Sequence, residues 1–71
     1  MRLKLGVYEH FKGKRYEVIG HARHSETLDD MIIYKQLYGD ESLWVRPTKM
    51  FFDEVEADGQ MMPRFRYIGR E

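Results

Sequence analysis

The chain has no cysteine, only two prolines and, tyrosine aside, no apolar run longer than three residues. Without cysteine there is no disulfide framework, no thiolate metal site and no thiol nucleophile. Runs as short as Met31-Ile32-Ile33 and Met50-Phe51-Phe52 exclude a membrane span. The charged start, Met1-Arg2-Leu3-Lys4-Leu5-Gly6, is not followed by the apolar stretch of a secretory signal. Net charge is missing too: twelve Lys plus Arg stand against twelve Asp plus Glu, which excludes a uniformly basic polyanion binder. A cytoplasmic location with no membrane partner is the expectation. At 71 residues there is room for one small domain and little room for a buried catalytic cavity.

What is present is enough apolar and aromatic content, 42% and 14%, to build a folded core rather than a disordered chain. No repeat or linker divides residues 1–71, and order is expected over roughly 5–68, with loose ends. The zero charge conceals a polarity: residues 1–24 carry a net +4, residues 25–60 a net −6 and residues 61–71 a net +2.

The hydrophobic period is two rather than 3.6. Val7, Glu9 and Phe11 alternate with Tyr8 and His10 in a first strand, and Lys12-Gly13-Lys14 is a Gly-centred hairpin turn. A second strand places Tyr16, Val18, Gly20 and Ala22 on one face, with Gly20 marking a bulge or bend. Thr27 and Asp30 have the spacing of a capping box, so a single helical turn is expected there. Met31–Tyr38 and Leu43–Arg46 read as strands, the latter stopped by Pro47. Thr48 to Phe51 reads as a one-turn connector. Asp53–Asp58 reads as a solvated connection with Val55 pointing inward, Asp58-Gly59 as a second hairpin turn, and Met61–Tyr67 as the last strand. About five short strands in so few residues imply an all-β small barrel or roll, because one flat sheet would leave a face bare and closure removes edges. The expected core is Val7, Phe11, Tyr16, Val18, Ile32, Tyr34, Leu37, Trp44, Val45, Met50, Phe51, Val55 and Phe65.

Six segments occur in order: Tyr8-Glu9-His10-Phe11-Lys12-Gly13, His24-Ser25-Glu26-Thr27, Leu37-Tyr38-Gly39, Trp44-Val45-Arg46-Pro47, Met50-Phe51 and Arg64-Phe65. Together they resemble a small bacterial family, domain of unknown function 1653, over positions 6 to 66. The resemblance implies an SH3-like small barrel. It implies no activity, substrate or cofactor.

Candidate functional residues cluster in four places. His24-Ser25-Glu26-Thr27 holds an acid, a nucleophile and a base, and with His10 it frames a hydrolase or metal-dependent enzyme. Neighbours on an extended chain face opposite ways, however, and no nucleophile elbow is visible. His10, His21 and His24 with Glu26, Asp29 and Asp30 are the available metal ligands, yet without thiolates the simpler role of these histidines is local hydrogen bonding. Arg64-Phe65-Arg66-Tyr67 interleaves cations with aromatics. With the basic tip Lys12, Lys14 and Arg15, it suits phosphates while Tyr8, Tyr67 or Trp44 stacks a base. Trp44 and Arg46 share a strand face beside Pro47, as in grooves that take extended peptides. The expectation is a non-enzymatic binding module without cofactor or bound metal. Its site is drawn from Tyr8, His10, Lys12, His24, Glu26, Trp44, Arg46, Arg64 and Arg66, with single-stranded RNA favoured over a peptide.

Overall fold

The computed structural model describes residues 4–70. They form β1 (Gly6–His10), β2 (Arg15–Arg23), β3 (Asp30–Gln36), β4 (Leu43–Pro47), α1 (Thr48–Phe51), β5 (Glu54–Ala57), β6 (Gln60–Pro63) and β7 (Phe65–Gly69). Five strands make one antiparallel sheet in the order β4-β3-β2-β1-β7, and β5 pairs with β6 in a separate ribbon. The architecture is the expected all-β, SH3-like roll, with seven strands rather than about five. The two additional strands come from the acidic stretch, which forms β5, and from a break at Arg64 that splits the last strand.

Local chemistry sets these elements. Gly13, at φ 99°, closes the first hairpin, whose tip is fastened by His10 N–H to the Lys14 carbonyl and Gly13 N–H to the His10 carbonyl, both 2.7 Å. Asp58 and Gly59, at φ 53° and 78°, form the two-residue turn of the ribbon, the left-handed pair that suits a twisted hairpin. Pro47 ends β4 and α1 follows as the one-turn connector, burying Thr48 and Phe51. The first and last strands meet, since β1 pairs with β7 from Val7↔Gly69 to His10↔Phe65. Of the ends expected to be loose, 1–4 and 69–71, residues 1–3 and 71 lie outside the described residues, and Gly69 is the last residue of β7.

The bend at Gly20 is present and has a consequence for the faces. Val18 pairs with Tyr34 and Gly20 with Ile33, so Ile19 is the extra residue of a bulge. One extra residue inverts the alternation. His21 therefore sits opposite Ile32, while Gly20 and Ala22 leave the face of Tyr16 and Val18 on which they were expected. The helical turn after β2 is also built differently. His24, not Thr27, caps it: His24 Nδ1 accepts from Glu26 N–H at 3.1 Å and Thr27 N–H at 3.3 Å, and Leu28 N–H reaches the His24 carbonyl.

The core consists of Val7, Tyr8, Val18, Ile32, Tyr34, Phe51 and Phe65. Phe51, fully buried, stacks on Phe65 with centroids 4.1 Å apart and rings parallel to within 1°. Phe11, Tyr16 and Val55 are half-buried. Four expected core residues are exposed. Trp44 and Val45 lie on a marginal strand that nothing covers, Leu37 lies in the connection after β3, and Met50 faces out from α1. Tyr8 takes the vacated role; its ring is buried and its hydroxyl donates to the Lys4 carbonyl at 2.9 Å.

Gly6 marks the tightest backbone approach. A Cβ there would stand 2.7 Å from the Gly69 carbonyl oxygen, and its φ of +136° is open to glycine alone. Gly6→Ala is expected to lower stability by about 1–3 kcal/mol, read as a reduced urea midpoint.

Candidate binding groove

The bent sheet turns one face inward, and the cross-strand register decides who shares it. Tyr16 pairs with Gln36 and Tyr34 with Trp44, while Ile32 pairs with Arg46. Tyr16, Tyr34, Gln36, Trp44 and Arg46 therefore project from the same face of β2, β3 and β4. With Tyr38 from the following turn they line an open groove with a volume of about 210 Å³.

Polar bonds order this lining. The Tyr16 and Tyr38 hydroxyls share a hydrogen bond of 2.5 Å, and the rings stand edge to face at 5.5 Å. Burial, then the bond to Tyr38, pushes the Tyr16 phenol up to about 12, so it stays neutral at physiological pH. Gln36 is the hub of the wall: Trp44 Nε1–H donates to its Oε1 at 2.9 Å, while its Nε2 donates to Asp40 Oδ1 at 2.9 Å and to the Tyr38 carbonyl at 3.3 Å. The indole is thus held by its edge, leaving 52% of the residue exposed. Arg46 Nε donates to the Tyr34 hydroxyl at 3.4 Å, and its guanidinium lies 5.9 Å from the Phe65 ring centroid. It does not stack on Trp44. Among the described residues no carboxylate lies within ion-pair distance of Arg46. Lys14 Nζ sits 4.8 Å over Tyr38 at the other wall.

The remaining candidates divide. Tyr8 is only 4% exposed and cannot stack a ligand, which corrects its place in the site. His10 packs between Phe11 and Phe65, at 4.5 and 5.0 Å, and its Nδ1 accepts from Lys12 N–H at 3.2 Å. Burial first, then Arg46, Arg64 and Lys12, holds its pKa below the usual histidine value, so it is a neutral member of the hairpin tip. Lys12 lies 5.8 Å over Phe11. His24 and Glu26 stand in the turn after β2, the length of a nine-residue strand from the tip that holds His10, on the order of 25 Å. His10, His24 and Glu26 are not brought together, and the hydrolase reading has no constellation to rest on. Among the described residues no group of three or more metal-ligating side chains is close enough to hold an ion.

The two basic ends do meet, around acids. Glu9 on β1 lies between Arg66 of β7, at 2.7 Å, and Arg15 of β2, at 3.8 Å. Arg64 is not paired with Arg66 on β7: it precedes that strand and donates to Asp53 from Nε at 2.7 Å and from Nη2 at 3.3 Å. The Arg64 hydrogen bond holds the Asp53 carboxyl below the usual range against the opposing effect of desolvation, with the charges of Arg64 and Arg46 adding to it. A carboxyl with a lowered folded pKa contributes stability above its unfolded pKa and loses that contribution as pH falls through the folded value. The stability deficit of Arg64→Ala should therefore shrink between neutral pH and about pH 3, measured by urea midpoints at both.

A larger cavity, about 370 Å³, lies between the hairpin tip and β6, lined by residues including Glu9, Phe11, Met62 and Arg66. Its arginine is already tied to its glutamate, so it offers a ligand less than the Trp44 groove does. Sequence reasoning found Trp44 and Arg46 but missed the roles of Tyr16, Tyr34, Gln36 and Tyr38. The signal was the spacing of two through Tyr34, Gln36 and Tyr38.

Comparison with known proteins agrees with this architecture. A crystal structure of a DUF1653 protein from Bordetella bronchiseptica is 31% identical and superposes with a TM-score of 0.89, covering 97% of this chain and 91% of that one. No curated protein matches the chain. The model of the family described as "Protein of unknown function (DUF1653)" matches residues 6–67. With nearly its whole length matched, the chain belongs to that family.

Proposed function

We propose that the chain is a non-enzymatic binding module of the bacterial cytoplasm that takes an unpaired nucleotide of single-stranded RNA in the Trp44 groove. One observation carries the reading: a half-exposed indole, held by its Nε1–H, stands two positions from an arginine that has no carboxylate within ion-pair distance among the described residues. A base stacks on the free indole face, since every base has a π-face, and Arg46 supplies charge-assisted donors to the adjoining phosphate. Lys14, across the groove, suits a second phosphate. The cations of the site are few, and this matches the zero net charge: affinity comes from stacking and two phosphate contacts, not from a broad basic field. Among the described residues no helix is long and apolar enough to cross a membrane.

The test is a titration with short single-stranded RNA, read by the fluorescence of the single tryptophan. Saturable quenching is expected, with a slope of log affinity against log salt of about −1.4 for two phosphates. Salt-independent quenching would remove the phosphate contacts from the reading. Saturation by a proline-rich peptide but not by RNA would replace the nucleotide with an extended peptide, the occupant that the groove's position beside Pro47 suits.

A further inference from the structure

The five-stranded sheet does not close, so it has two margins, β4 and β7. They are managed differently. β7 carries a bulge at Ile68, between the pairs Val7↔Gly69 and Tyr8↔Tyr67, and a charged Arg66. Both features blunt an edge against further pairing. β4 carries no bulge; its one charge, Arg46, lies on the inner face of the sheet and its proline, Pro47, stands only at the end of the strand. Its pairing with β3 runs without a shift from Met31↔Pro47 to Lys35↔Leu43, and Leu43, Trp44 and Val45 are 60%, 52% and 58% exposed.

The register shows which backbone groups stand free. Gln36 N–H donates to the Ser42 carbonyl, so in β4 the even positions face β3 and Leu43, Val45 and Pro47 direct their main-chain groups outward. The one residue without an N–H, Pro47, falls on the outward set, where β3 loses nothing by it.

We propose that β4 pairs antiparallel with β4 of a second copy of this chain, about a two-fold axis at Val45. The strand is self-complementary in that register. Val45 meets its own counterpart and the two exchange N–H···O bonds. Leu43 N–H donates to the carbonyl of the partner's Pro47, and the two-fold repeats that bond from the partner's Leu43 to the Pro47 carbonyl. Trp44 then lies directly across from the partner's Arg46, a cation–π pair on the inner face, repeated on the other side of the axis. Arg46, which has no carboxylate within ion-pair distance among the described residues, thereby gains a neighbour, and each groove gains a guanidinium from the other subunit. Pairing through one strand type closes as a dimer, whereas β4 on β7 would propagate as an open chain. The inference does not depend on what the groove binds.

A five-residue edge is at the small end of specific interfaces, so the dimer should form on the order of 100 μM. Sedimentation equilibrium from about 10 μM to 1 mM should show the mass rising from 8.6 kDa toward twofold. Val45→Lys, at an exposed position, places two ammonium groups at the axis and should hold the mass at the monomer value without a change in melting temperature. Met61→Lys, on the exposed ribbon, should leave the doubling intact. Hydrogen exchange supplies the second readout. The Leu43 and Val45 amides should gain protection with concentration, while those of Trp44 and Arg46 are protected throughout. A monomer at about 1 mM overturns the proposal, as does a dimer that survives Val45→Lys or that protects β7 instead.

Discussion

Phe51→Ala is expected to cost about 3–5 kcal/mol and to leave the chain largely unfolded at room temperature. The side chain is 0% exposed and touches the fold from several directions. It stacks on Phe65 of β7, meets Tyr8 of β1 edge-on at 5.4 Å and Tyr34 of β3 at 5.5 Å. Because α1 is a single turn between two strands, no long element can slide inward to fill the space, and the cavity term is felt nearly in full. Phe52→Ala is the control: its ring contacts Tyr8 and Phe51 from outside and is 40% exposed, so its loss should cost less than half as much. Urea denaturation followed by far-ultraviolet circular dichroism measures both.

Trp44→Ala should separate binding from folding. The residue is 52% exposed and the indole's polar bond is the exposed one to Gln36, so the urea midpoint should hardly move. Loss of a stacking platform costs about 1–3 kcal/mol per base, or roughly 5- to 150-fold in affinity for single-stranded RNA. Because the variant removes the intrinsic fluorophore, binding is measured by the anisotropy of a labelled oligonucleotide. Trp44→Phe keeps a smaller π-surface and should recover part of the loss, whereas a purely steric role would be met by leucine equally well. Arg46→Ala should weaken binding and flatten the salt slope by about 0.7. A lost affinity with an unchanged salt slope would separate Arg46 from phosphate contact.

Much of the fold was readable from period and punctuation. The two Gly-containing turns, the bulge at Gly20, the stop at Pro47 and the one-turn connector all follow from local chemistry. What could not be read was set by partners far along the chain. The acidic stretch 53–58 resembles a solvated loop until Asp58-Gly59 folds it onto Met61 and Met62. Trp44 and Val45 have the composition of a buried strand, and only the sheet order shows that β4 is marginal. For the site, Trp44 and Arg46 were visible as a same-face pair. The tyrosines around them were not, because Tyr16 reaches the groove through its pairing with Gln36 across two strands. Tyr8 misled in the opposite sense: an aromatic beside cations reads as a stacking platform, but its register opposite Tyr16 and Tyr67 puts it in the core.

The ladder between β1 and β7 joins residues separated by almost the entire chain. The two hairpins and the β3–β4 pair close short loops and can form early, but β7 has no neighbour in the sheet except β1. Its docking must wait until the chain has come full circle, and the Phe51–Phe65 stack waits with it. High sequence separation of this kind slows folding into the millisecond-to-second range typical of SH3-like barrels. Until that last step, β1 is itself a bare edge, so the nascent chain passes through a state with more open strand than the finished protein.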